Sequence, residues 1–210
     1  MGGGRLPGSL SYDVIPHAGD FDPQFPSGGF EFPGPIGLDS SPVVTEVKKN
    51  WDPPNPGSTP EIVVKGKTLA QVADALNKLP EWGRGGGSIR SDKLDNVKTP
   101  EVTVQLRANL TMVLPQWDGY EQASAAVKKE WDRMIATLRK HEQRHVDIAI
   151  EEADALASAL MGKPMSKIVS MVTEANAKMA KRQKELDAKT ENGSKVGVEF
   201  GDVVLDMSIT

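Results

Sequence analysis

The sequence contains no cysteine, which rules out a disulfide framework and any thiolate metal site. No apolar run approaches the length of a membrane span. The opening Met1-Gly2-Gly3-Gly4-Arg5-Leu6-Pro7-Gly8 lacks the apolar core of a signal peptide. Charge of one sign is also in short supply. The net charge is −4, and no basic cluster is dense enough to make nucleic acid the main partner. Histidine is scarce at three residues. At 210 residues the chain has room for one substantial core but not for two large domains.

What is present is unevenly distributed. Residues 1–58 are dense in proline and glycine, with Pro23, Pro26, Gly28, Gly29, Pro33, Gly34 and Pro35, then Pro53, Pro54, Pro56 and Gly57. This composition forbids long helices and predicts an extended or loop-rich N-terminal arm. Two pieces of it, Leu10 to Ile15 and Pro42 to Val47, read as strands, while His17 reads as a loop residue. Residues 59–210 read as the folded domain. Glu61 to Lys65 predicts a short strand, and Thr68 caps a helix to Leu79 with Leu69, Val72, Leu76 and Leu79 on one face. Gly83 to Gly87 reads as a glycine-rich loop, without the Lys-Ser/Thr ending that phosphate binding requires. Residues 101–114 alternate strictly from Val102 to Leu114 and predict a long half-buried strand, which could pair with an extended substrate if it lies at a sheet edge.

Residues 120–161 carry the most informative stretch. Val127, Trp131, Met134, Leu138, Ile148, Leu156 and Leu160 form one stripe at helical spacing. On that stripe lies His141-Glu142-Gln143-Arg144-His145, which holds two of the three histidines. Four residues of helix return both imidazoles to one face, within reach of a single zinc ion. Glu142 is then placed to take a proton from a water at that metal. A solvated charged face would explain Arg139, Lys140, Gln143 and Arg144 but not the inward position of the two imidazoles, which need partners.

Gly162-Lys163-Pro164 breaks this helix, and Pro164 opens a second one to about Thr190. Its inner face carries Ile168, Val172, Ala175, Met179 and Leu186, and Asn192-Gly193 supplies the stop. The short break predicts an antiparallel hairpin. Val196 to Val204 reads as a closing strand. A catalytic zinc usually takes three protein ligands, and the hairpin brings Glu185, Asp187 and Glu191 opposite the motif. Helical phase favours Glu185 and turns Asp187 sideways. Glu152 lies two turns past His145, about 10 Å along the axis, and is read as an outer-layer or helix-pairing residue. Asp147 and Glu151 point to solvent. Thr190 and Tyr120 are candidates for stabilising an oxyanion.

Several local patterns together carry a family resemblance. They are Leu114-Pro115-Gln116-Trp117 ending a strand, Trp131 about ten residues before the histidine motif, and Gln183 followed by Asp187, Thr190 and Gly193 on the returning helix. Val64-Lys65-Gly66-Lys67-Thr68-Leu69 precedes them. Residues 60–200 thus resemble a bacterial family of predicted, often secreted, zinc-dependent proteases known as domain of unknown function 922. The chain departs from the family pattern at Leu186, where relatives carry Tyr, and at Asn192, where they carry the His before the glycine. The resemblance implies Asp187 as the third ligand, where helical phase alone prefers Glu185 as the alternative; Glu152 and Thr190 are read as lying outside the ligand shell. It also implies a secreted or periplasmic setting. The resulting expectation is an α+β, zincin-like domain with an antiparallel sheet packed on the helix hairpin. Its expected function is that of a zinc metallopeptidase acting on protein or peptide. The alternatives are a non-catalytic metal-binding or protein-interaction module, and a cell-wall amide hydrolase.

Overall fold

Alternation of apolar and polar residues over Glu101–Val113 produces the central strand. In the computed structural model, which describes residues 42–52, 62–93 and 100–210, Val104, Leu106, Ala108 and Met112 of this strand are buried. In chain order the elements are β1 (Val43–Asp52), β2 (Val63–Val64), α1 (Leu69–Leu76), β3 (Arg84–Lys93), β4 (Glu101–Val113), β5 (Gln116–Trp117), α2 (Ala125–Leu160) and α3 (Ile168–Thr190). A single 3₁₀ turn precedes each of the last two helices, at Tyr120–Gln122 and Met165–Lys167.

The fold is α+β with a mixed three-stranded sheet in the order β1-β4-β3. β1 runs parallel to β4, from Val43 opposite Glu101 to Asp52 opposite Asn109, whereas β3 runs antiparallel to it, from Arg84 opposite Val113. The sheet is therefore not the purely antiparallel one expected. β4 is paired on both sides, so it offers no free edge to a substrate; β3 is the edge strand on the side of the helix hairpin.

Three other expectations change. Gly83 to Gly87 is not a loop: residues 84–87 begin β3. Glycine there serves close packing, because a Cβ on Gly85 would collide with the carbonyl oxygen of Glu142 on α2. Residues 196–204 form no strand. Phe200 and Asp202 both adopt positive φ, as does Gly197, and this sequence of turns breaks any extended run. Val203 and Leu205 are nevertheless fully buried. Within the proline- and glycine-rich lead-in, the strand read at Pro42 to Val47 is present and longer. It joins the central sheet and also holds the hairpin turn: Gly162 N–H donates to the Val44 carbonyl at 2.8 Å and Val44 N–H to that of Lys163 at 2.9 Å. The strand read at Leu10 to Ile15 and His17 lie outside the described residues.

α2 starts at Ser124, whose side chain accepts from Val127 N–H, an ordinary N-cap. Its first half packs with α1, Trp82, Trp117 and the C-terminal Val203 and Leu205 in one core. Its second half packs through Ala153, Leu156, Ala157 and Leu160 against Val44, Ile89, Val104, Leu106 and Ala108 of the sheet. The histidine motif falls between these two cores. α3 returns antiparallel to α2, with Met179 and Leu186 against Ile148 and Ala149.

The C-terminal segment is tied to α2 by Glu130. Its carboxylate accepts from Arg133 at 2.8 and 2.7 Å and from Asp206 N–H at 2.7 Å, while Arg133 donates to the Val204 carbonyl at 2.6 Å. The Arg133 hydrogen bonds outweigh burial and hold the Glu130 carboxyl below its ordinary pKa. A depressed carboxylate stabilises the fold above its unfolded pKa, about 4.3, and loses that contribution as pH falls through the folded value. Glu130→Gln is expected to lower unfolding free energy at pH 7 by about 1–3 kcal/mol. The gap from the native protein should close on acidification below about pH 4, read by chemical denaturation at each pH.

Candidate metal centre

Two helices build the site. On α2, His141 and His145 are 3% and 4% exposed, one turn apart on the apolar stripe. On α3, Met179, Gln183 and Asp187 follow one another at four-residue intervals and are all buried. Asp187 therefore lies on the inner track of a helix that stays regular to Thr190, whereas the phase argument from sequence had turned it sideways. Glu185 points outward, with its side chain 63% exposed and 3.9 Å from Lys181; it does not reach the motif.

Three ligand atoms converge. His145 Nε2 lies 3.2 Å from His141 Nε2 and 3.1 Å from Asp187 Oδ1, and His141 Nε2 lies 3.4 Å from the same oxygen. A tetrahedral zinc with bonds near 2.0–2.1 Å sets its ligand atoms about 3.3 Å apart, which is the spacing of this triangle.

Tautomer chemistry points the same way. His141 Nδ1 is 3.0 Å from the Phe200 carbonyl oxygen, and a carbonyl can only accept. Nδ1 therefore carries the hydrogen, and Nε2 of the neutral ring turns a lone pair toward the carboxylate oxygen of Asp187. Two acceptors facing each other in a buried space call for a cation between them. In the metal-free arrangement a proton can serve. Burial works against a charged His141, but the Asp187 hydrogen bond, the charge of Glu142 and the Phe200 carbonyl outweigh it and raise its pKa. The donor set of two imidazoles and one carboxylate fits zinc and matches no thiolate-selective metal.

Surrounding residues hold this triangle in place. Glu152, also buried, accepts from Arg182 at 2.7 Å and pairs with Lys178 at 3.0 Å, both on α3. Burial alone would raise its pKa, but these two cations reverse the effect and lower it. Arg182 also pairs with Glu151, which in turn accepts from Arg144. Glu152 thus fixes the register of the hairpin, and Asp187 meets His145 as a consequence. Asp147 stays on the surface, accepting from Gln143 at 2.9 Å.

At the end of α3, the Thr190 hydroxyl donates to the Leu186 carbonyl at 2.8 Å and accepts from Gly193 N–H at 3.1 Å. Its hydrogen is committed there, so Thr190 shapes the helix cap and is not placed to stabilise an oxyanion. Gly193 adopts φ +84, and its Cβ position would fall 3.3 Å from His141 Nδ1. Only glycine closes this turn against the imidazole without strain. Asn192 is part of the same left-handed cap, with φ 54. Tyr120 donates to Asp132 at 2.9 Å and packs on Trp117, away from the histidines.

Glu142 is buried beside the triangle, packed under β3. The Cβ position of Gly83 lies 3.0 Å from its Oε1. Desolvation pushes its pKa up to about 7, partly opposed by His141 and His145. Sequence reasoning missed two contributors. One is the Phe200 carbonyl, a backbone group that no motif reports. The other is the β3 glycines; their run was visible, but its meaning depended on the helix that crosses them.

The model of a family described as a bacterial protein of unknown function (DUF922) matches residues 61–194, which includes both helices of the site. No curated protein and no solved structure matches the chain.

Metal content separates the two acids. Purified protein is expected to carry one equivalent of divalent metal by elemental analysis. Asp187→Ala should retain less than about a tenth of the affinity, by analogy with the loss of supporting groups around metal sites, while Glu185→Ala should bind as the native protein does.

Proposed function

The chain belongs to the bacterial DUF922 family, and from that membership and the geometry above we propose that it is a zinc-dependent metallopeptidase with a zincin-like catalytic arrangement. The observation that carries the reading is the buried triangle of His141, His145 and Asp187 with Glu142 next to it on the same helix. A structural zinc is usually enclosed by four protein ligands and a catalytic one by three; among the described residues three side chains converge here.

In this reading His141, His145 and Asp187 hold Zn²⁺. Zinc bound there supplies a Lewis acid that polarises a carbonyl and makes water a nucleophile near neutral pH. Glu142 accepts the proton of the attacking water and delivers it to the departing amine nitrogen. Its burial supports this role, since a carboxylate shielded from solvent holds a proton long enough to transfer it at neutral pH. Phe200, through its carbonyl, keeps Nδ1 of His141 protonated so that Nε2 faces the metal. Gly83 and Gly85 let β3 lie directly over Glu142, which limits water around that carboxylate.

The decisive variant is Glu142→Gln, which keeps the size of the side chain and removes its basicity. Zinc-loaded Glu142→Gln is expected to retain the metal and to lose at least about 100-fold in casein hydrolysis. Native protein that binds zinc yet cleaves neither casein nor cell-wall fragments would replace this reading with a metal-binding module. Cleavage confined to cell-wall fragments would reassign the site to amide hydrolysis of that polymer.

A further inference from the structure

α3 closes the edge of β3 on one side of the metal ligands. Asn176 on α3 donates from Nδ2 to the Ile89 carbonyl at 2.8 Å, and its Oδ1 accepts from Ile89 N–H at 3.0 Å. These are the two backbone groups that Ile89 would otherwise offer to a neighbouring strand. Further along the helix Gln183 reaches Gly86, with Nε2 3.1 Å from that residue's Cβ position. Ile89, Gly86 and Gln183 are all buried. The helix therefore covers the strand from Ile89 to Gly86.

Asn176, Gln183 and Asp187 lie on one track of α3, and both contacts with β3 come before the metal ligand. Gln183 stands one turn before Asp187, about 6 Å along the axis. On the strand, Gly86 lies about 10 Å from Gly83, the glycine that sits against the Glu142 carboxylate. Helix and strand thus meet in a wall at Gln183 and Gly86, a short and fixed distance from the ligands and from Glu142. An extended chain advances about 3.3 Å per residue. The gap between the reacting groups and the wall accordingly takes about two or three residues.

We propose that this wall makes the protein act at chain ends: it trims short pieces from a peptide and does not cut its interior. The inference rests on the peptidase reading and adds its substrate class, oligopeptides and accessible chain termini. Gln183 is the specificity-determining residue, because its side chain bounds the space on one side of the scissile bond. Asn176 acts behind it, pinning the helix to the strand at Ile89. Each turnover breaks one C–N bond. The oxygen of the attacking water ends on the new carboxylate, and its two hydrogens end on the new amine.

The test uses the full chain, zinc-loaded, with a linear peptide and its head-to-tail cyclic form as probes and products identified by mass spectrometry. The native protein is expected to release pieces of about one to three residues from one end of the linear peptide. The cyclic form should be cleaved at least about tenfold more slowly. Shortening the wall with Gln183→Ala, at native zinc content, should add longer pieces to the products. Cuts spread through the interior of the linear peptide, or a cyclic form cleaved as fast as the linear one, overturn the wall and leave the peptidase reading intact. Product lengths unchanged in Gln183→Ala overturn the assignment of the limit to Gln183. The native cleavage map needs no variant, so it decides the matter even if Gln183→Ala fails to fold. No cleavage of either peptide or of casein overturns the peptidase reading, and the chain-end rule with it.

Discussion

Two lone pairs pointed at each other in a buried space are the constraint around which this fold is organised. The Phe200 carbonyl fixes a hydrogen on His141 Nδ1, so Nε2 must face Asp187 as an acceptor. Each group has lost its water, and neither can satisfy the other. A cation resolves the conflict, and with it the helix hairpin is joined at its centre. Without it, the same hairpin carries an uncompensated repulsion between its two longest elements. The three cores on either side of the site must therefore supply the stability that allows a polar, acceptor-rich centre to persist.

The surrounding architecture follows from the need to hold three atoms to within a few tenths of an ångström. Glu152 with Arg182 and Lys178 sets the sliding register of α3 on α2. Strand β1 ties down the hairpin turn through Val44. The apolar residues at the two ends of α2 clamp it between separate cores. These interactions lie at different distances from the ligand atoms. Together they leave the hairpin few ways to relax, which is what a preorganised metal site requires.

How legible this was depended on whether a feature is local. The apolar stripe of α2, the alternation of β4, the Thr68 cap and the histidine pair are short-range patterns, and the structure places them as the spacing implied. Asp187 could be singled out only through family resemblance, because the phase of a helix relative to its partner depends on contacts across the hairpin. The run Gly83 to Gly87 resembled a loop because glycine disfavours strands in general. Here the absence of side chains is what allows α2 to cross beneath β3. Residues 196–204 have the composition of a strand, yet φ of 63 at Phe200 and 65 at Asp202 shows that local preference yielded to the need to bring a carbonyl to His141.

That last point bears on where the domain ends. The match to the bacterial family stops at residue 194, but the group that orients His141 comes from residue 200, and Val203 and Leu205 fill the core beside α2. Phe200 is a bulky residue in a left-handed conformation, which costs roughly 1–2 kcal/mol. Such a conformation persists only where its surroundings impose it. The surroundings here are the Gly193 turn on one side, with Val203 N–H donating to the Gly193 carbonyl at 2.9 Å, and the Glu130–Arg133 clasp on the other. The C-terminal segment is thus part of the candidate metal centre: strain accepted at one backbone position fixes the ring of His141, and the clasp on α2 helps to hold that segment in place.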